Sequence, residues 1–191
     1  MRKKLYRDKA EKIEKSKVRE TVEFIIYCGL AIIVGLLIVR FVGQRTEVIG
    51  ESMSPTLEDG DNLIVDKITY RFSDPKRFDI IVFPFKENRT VYYIKRIIGL
   101  PGETVQIQDG KIYINGIELN EDYGAEPIED PGIASAPITL GEDEYFVLGD
   151  NRNNSQDSRT AAVGNISRDE IFGRAWIRFW PLDSFCILKH Q

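Results

Sequence analysis

The sequence holds one histidine, His190, beside its C-terminus, and two cysteines, Cys28 and Cys186. That argues against a Ser-His-Asp triad and against a metal site built on several histidines, and two cysteines cannot make a Cys₄ site. A catalyst with this composition must use something other than thiol, imidazole or zinc. One candidate nucleophile lies in Gly50-Glu51-Ser52-Met53-Ser54-Pro55-Thr56-Leu57. Gly50 permits unusual backbone angles and Pro55 stiffens the exit. In such a bend Ser52 can offer its hydroxyl and its own backbone N–H to one bound carbonyl, which is attack plus oxyanion stabilisation. A plain turn has the same composition.

A serine without histidine needs a carboxylate or a desolvated lysine as its base. The run Tyr92-Tyr93-Ile94-Lys95-Arg96-Ile97-Ile98-Gly99 sets a lysine inside an apolar strand. Strand alternation puts Tyr93, Lys95 and Ile97 on one face and Ile94, Arg96 and Ile98 on the other. A base acting near neutral pH needs its pKa lowered by about 2–3 units, roughly 3–4 kcal/mol of desolvation. A solvated edge-strand lysine is the alternative. The third segment, Gly149-Asp150-Asn151-Arg152-Asn153-Asn154-Ser155-Gln156-Asp157-Ser158-Arg159, suits either a self-bonded loop or a supporting shell that orients an amine and pairs a carboxylate with an arginine.

The elements that must position these residues read as mostly β. Strands are expected at Ile80–Phe83, Val91–Ile98, Glu144–Leu148 and Ile171–Phe179. Val105–Ile107 and Ile112–Ile114 flank Asp109-Gly110, which predicts a hairpin, and Asn115-Gly116 predicts a second turn at once. Residues 120–142, acidic and rich in Gly, Pro and Ala, read as a loop or small excursion. No long helical period follows residue 43, and no internal repeat is visible.

Of 191 residues, 42% are apolar and 29% charged, an ordinary globular balance. The net charge of -4 argues against a protein led by phosphate contacts to nucleic acid. The sequence has no GxxxxGK[ST] or GxGxxG, so nucleotide binding has no support. The charge is uneven: residues 1–20 carry nine Lys/Arg against four Asp/Glu, leaving a net -9 on the rest. Phe24–Val39 follows, sixteen residues without a charge, and Val22–Val42 is interrupted only by Glu23 and Arg40. As a helix that longer stretch is roughly 31 Å long, about one bilayer core. A buried core helix and a cleaved signal peptide are the alternatives, but no good small-x-small site follows Val39. The basic flank sets the N-terminus in the cytoplasm and the remainder on the far side.

Taken together, GESMSPTL, GDNLIVDK, RFDIIVF, YYIKRIIGLPGE, GDNRNNSQDSR and IFGRAWIRFWP resemble, in order, the motifs of type I signal peptidase. That is the family of membrane-anchored Ser-Lys proteases that remove signal peptides from exported proteins. The resemblance runs from the apolar segment to Pro181. It implies one transmembrane helix followed by an all-β catalytic domain with a small inserted β excursion, a core shared with self-cleaving repressors. The expected divisions are a basic cytoplasmic tail at 1–20, a transmembrane helix at 21–43, an extracytoplasmic peptidase domain at 44–181 with a reduced variable insertion at 103–142, and a tail at 182–191. It further implies Ser52 as nucleophile and Lys95 as general base. Ser155 would hydrogen-bond the Lys95 amine, and Asp157, Arg159 and Arg96 would form supporting ion pairs. Met53, Leu57, Tyr93 and Ile94 match positions near shallow pockets for small residues at -1 and -3. Some members carry a serine two residues before the nucleophile; here Gly50 stands there, so the oxyanion must rest on the Ser52 N–H with another backbone donor or a water. No metal or organic cofactor is implied, and the expected partners are preproteins and the lipid bilayer. Phe83, Pro84, Phe85, Trp176, Phe179 and Trp180 are candidates for the bilayer interface or the core.

Two rivals follow from the same resemblance. One is a membrane-anchored accessory protein, but such relatives usually lack the serine or the lysine. The other is a self-cleaving Ser-Lys protein, which needs an Ala-Gly or Cys-Gly site on a loop; Cys28-Gly29 lies inside the expected anchor.

Overall fold

The computed structural model describes residues 17, 19–36, 43–124 and 126–188. The chain divides into two compact units, the second beginning at Gly43. In the first, residues 19–36 are helical. The apolar side chains of this helix, among them Phe24, Ile25, Ile32 and Leu36, are exposed. Arg19 and Glu23 pair one turn apart at 2.8 Å. Among the described residues no helix is long and apolar enough to cross a membrane. Residues 37–42 of the expected span lie outside the described ones, as does most of the basic tail.

The second unit is built from short strands: β1 (Gly43–Glu47), β2 (Asn62–Asp66), β3 (Ile80–Pro84), β4 (Tyr92–Gly99), β5 (Thr104–Gln108), β6 (Lys111–Ile114), β7 (Ile117–Glu118), β8 (Ile138–Thr139), β9 (Glu144–Leu148), β10 (Ile166–Ser167), β11 (Gly173–Trp180) and β12 (Cys186–Ile187). One sheet runs in the order β1-β2-β11-β3-β4-β9-β10, with β12 beside β11; a smaller one runs β7-β6-β5-β8. The mostly β expectation holds, and the smaller sheet falls within residues 103–142. The expected hairpin forms with Asp109 and Gly110 at φ 51° and 77°. Asn115 and Gly116 repeat that turn at φ 52° and 79°. Positive φ at both central residues is what a right-twisted two-residue hairpin requires, and Asp, Asn and Gly adopt it at least cost. The sequence reading did not anticipate β1, β2, β7, β8, β10 or β12. Four of these have two residues, too few to show alternation, and β1 is Gly-Gln-Arg-Thr-Glu, polar throughout.

Strand β4 is the one that matters most for function. It lies inside the larger sheet, with Ile81 opposite Lys95 on β3, and Leu148 and Val147 opposite Arg96 and Ile97 on β9. Its alternation separates two cores. Ile97 and Tyr93 pack with Ile81, Phe83 and Val147, whereas Ile98 packs with Phe78, Val105, Phe146 and Leu148. Both ladders of β4 are paired, so Lys95 is not an edge-strand lysine. Phe83 belongs to the core, which removes it from the interfacial candidates; Trp176 and Trp180 are exposed.

Candidate active site

Ser52 stands in the turn between β1 and β2. Gly50 enters it at φ 91°, a left-handed angle that a side chain would strain, and its N–H donates to Asp59 Oδ1 at 2.7 Å. The exit is anchored by the Leu57 N–H bonding the Met53 carbonyl at 2.9 Å, with both side chains buried against Val48 and Leu63. Leu57 is therefore part of the core and does not line the cleft at Ser52, which corrects its expected place near a substrate pocket. Its apolar side chain is the weight that holds the turn down.

Lys95 Nζ lies 2.7 Å from Ser52 Oγ and also donates to the Ile94 carbonyl at 3.0 Å. The lysine is 4% exposed. Burial lowers its pKa to about 8, and the Asp157 and Asp150 carboxylates oppose that only in part. A neutral amine is therefore within reach near physiological pH. The Tyr93 ring covers one side, its centroid 5.2 Å from Nζ. Tyr93 in turn donates its hydroxyl to Gln156 Oε1 at 2.7 Å, which ties β4 to the loop after β9.

That loop is bonded to Ser52 from behind. The Asn151 N–H donates to the Ser52 carbonyl at 3.1 Å. The Ser52 N–H makes no backbone hydrogen bond among the described residues. Arg159 and Asp157 form a buried pair, with Nε–Oδ1 at 2.8 Å and Nη2–Oδ2 at 2.9 Å. Asp157 Oδ2 also accepts the Gly149 N–H at 3.1 Å. Arg96, 1% exposed, pairs with Asp150 through Nε–Oδ1 at 2.8 Å and Nη2–Oδ2 at 2.6 Å. Nη1 donates to the Phe78 carbonyl at 2.9 Å, and Nη2 also reaches Thr56 Oγ1 at 3.4 Å. The sequence reading missed Asp150, although the Gly149–Arg159 motif contained it.

One expected contact is not made. Ser155 Oγ is buried without a hydrogen-bond partner, so it does not bond the Lys95 amine. Lys95 spends its described hydrogen bonds on Ser52 and Ile94, while Ser155 Oγ is turned toward the α-carbon of Gly149. In front of the pair a cleft of about 590 Å³ is lined by Val48, Ile49, Met53, Tyr93, Ile94 and Gln156 together with Ser52 and Lys95. Met53, Tyr93 and Ile94 all line this cleft. Among the described residues no group of His, Cys, Asp and Glu is placed to hold a metal ion. A hydroxyl against a buried amine of lowered pKa, with a backbone N–H on the same residue, can perform acyl transfer.

Residues 21–180 match the family described as signal peptidase, peptidase S26. The chain belongs to that signal peptidase family and is an enzyme of its signal peptidase I type. A signal peptidase I of Leptolyngbya laminosa is 45% identical over 162 residues, covering 81% of this chain and 77% of that protein. Signal peptidase I T of Bacillus subtilis is 37% identical over 180 residues, covering 91% and 92%. A solved signal peptidase I from Enterococcus faecalis is 39% identical, with a TM-score of 0.44 over 53% of this chain and 97% of that one.

Proposed function

We propose that this chain is a membrane-bound serine endopeptidase that removes N-terminal signal peptides from exported preproteins, with Ser52 as nucleophile and Lys95 as general base. The observation that carries the reading is the 2.7 Å approach of a buried Lys95 amine to the Ser52 hydroxyl. Neutral Lys95 takes the Ser52 proton as Oγ attacks the scissile carbonyl. The Ser52 N–H holds the oxyanion. The resulting Lys95 ammonium gives its proton to the departing amine, and the Ser52 ester is then hydrolysed by a water that Lys95 deprotonates. Lys95 returns that proton to Ser52 Oγ, which restores the enzyme.

The supporting residues act through placement. Asp157 with Arg159, and Arg96 with Asp150, stiffen the loop and strand that flank the pair. Ser155 offers an unpartnered hydroxyl that can accept from the Lys95 ammonium once Ser52 is acylated. Met53, Tyr93 and Ile94 form the wall that receives small side chains at -1 and -3, so cleavage follows Ala-x-Ala. The apolar stretch at 21–43 anchors the enzyme, with the N-terminus cytoplasmic and residues 44–181 extracytoplasmic; this rests on the charge-free run and its basic flank.

The test is cleavage of a preprotein bearing an Ala-x-Ala site by the full chain in detergent micelles, beside Ser52→Ala and Lys95→Ala. Wild type alone should cut after the second alanine. Cutting retained by Ser52→Ala or Lys95→Ala would remove that residue from its role.

A further inference from the structure

Residues 119–124 and 126–131 belong to neither sheet, yet they are fastened to the loop that touches Ser52. Glu121 accepts both arms of Arg152, at 2.6 and 2.9 Å, and the two side chains are 10% and 3% exposed. The remaining Arg152 donor, Nε, bonds the Gly149 carbonyl at 3.1 Å. Gly149 is the residue whose N–H meets Asp157, and its α-carbon faces the Ser52 carbonyl. Two residues on, the Asn151 N–H bonds that same carbonyl. The next residue but one after Glu121, Tyr123, lays its ring 3.6 Å from the guanidinium of Arg96, the neighbour of Lys95. The Tyr123 backbone N–H donates to Glu121 Oε2 at 3.0 Å, which braces the carboxylate against its own loop.

We infer that Glu121 is a positioning residue for the active site: by holding the Arg152 fork it aims Nε at Gly149 and seats the loop on Ser52. This rests on the Ser52–Lys95 reading. The physical ground is the orientation of a planar group. A guanidinium has a rigid set of donors, so fixing two of them fixes the third. Without Glu121 the buried Arg152 charge has no counter-ion, and burying it alone is costly. A cleft of about 320 Å³ lined by Lys111, Glu118, Gly124 and Arg152 lies beside it and gives the side chain a way out. The Gly149 carbonyl then loses its donor, the loop loosens from Ser52, and water reaches Lys95. A hydrated lysine regains its ordinary pKa, so the neutral fraction at pH 7 falls.

The experiment follows preprotein cleavage by the full chain in micelles from pH 6 to 10, for wild type, Glu121→Ala, Glu121→Gln, Glu118→Ala and Lys95→Ala. Glu121→Ala should lose about tenfold or more at pH 7, mostly in kcat, and recover to within about threefold at pH 10. Glu121→Gln, which keeps one acceptor oxygen for Arg152, should recover most of the loss. Glu118→Ala, which breaks only an exposed pair with Lys111, should match wild type. Hydrogen exchange of the Asn151 amide should quicken in Glu121→Ala while amides of β3 and β5 keep their rates. A wild-type profile in Glu121→Ala, an equal loss at every pH, or faster exchange throughout the domain would each overturn the inference. If Lys95→Ala cuts as well as wild type, the Ser52–Lys95 reading fails instead, and exchange at Asn151 still decides whether Glu121 seats the loop.

Discussion

The α-carbon of Gly149 faces the carbonyl oxygen of Ser52 so closely that a β-carbon there would overlap both that oxygen and Ser155 Oγ. The strand β9 ends one residue earlier, so the chain leaves the sheet directly against the back of the Ser52 turn. Asn151 then bonds the same carbonyl at 3.1 Å. Nothing larger than glycine fits without moving one of the two backbones.

Gly149→Ala should therefore damage activity more than stability. Overpacking at one buried site costs about 1–3 kcal/mol. Displacing Ser52 by about 1 Å from Lys95 should lower kcat about a hundredfold. Urea unfolding beside single-turnover cleavage separates the two effects.

The rate should rise with pH through about 8, the value to which burial lowers Lys95. Only the neutral amine accepts the Ser52 proton, so below that point each unit of pH should cost about tenfold in kcat/KM. Lys95→Arg should be inactive across the range, because arginine stays protonated. A flat pH–rate profile in wild type would disprove the assignment.

The same lysine should make the fold less stable at neutral pH than it need be. Its pKa is lowered from 10.5 to about 8 on folding. Between those values the unfolded chain holds a proton that the folded chain lacks, so wild-type stability rises with pH across that window. Below pH 8 the full cost, about 3 kcal/mol, is present. Lys95→Met should thus be more stable than wild type at pH 7, with the advantage fading toward pH 10.5. Thermal unfolding at pH 7 and pH 10 checks this.

Removing Asp150 should unfold more than it slows. Arg96 and Asp150 have side chains 1% and 0% exposed. Asp150→Ala leaves a buried guanidinium unpaired, which costs about 3–5 kcal/mol. Chemical denaturation should register a loss of that size, whereas Lys111→Ala, breaking the exposed pair with Glu118, should leave the unfolding midpoint where it is in wild type.

Local rules carried the reading of this sequence a long way. The lack of a useful histidine excluded the common triads. The alternation of Tyr93, Lys95 and Ile97 put the lysine on one face with two apolar neighbours, and Asp109-Gly110 and Asn115-Gly116 marked two turns that the structure contains. These properties depend on neighbours two to four residues apart, and a sequence displays them directly. What it could not display is which distant groups meet. Arg96 takes Asp150, 54 positions away, because β4 and β9 pair with Arg96 opposite Leu148 and shift register between Ile97 and Gly99. Leu57 goes to the core, and Ser155 Oγ turns toward Gly149 rather than Lys95, because the close contact with the Ser52 turn settles the loop's path. Glu121 reaches Arg152 across 31 positions of polar, irregular chain with no period to read. The sequence by itself determined the candidate Ser-Lys chemistry and the strand that carries the lysine. The tertiary structure alone decided the partners of the buried charges, because a buried charge is paired by whatever the packing brings beside it, and packing is a property of the whole fold.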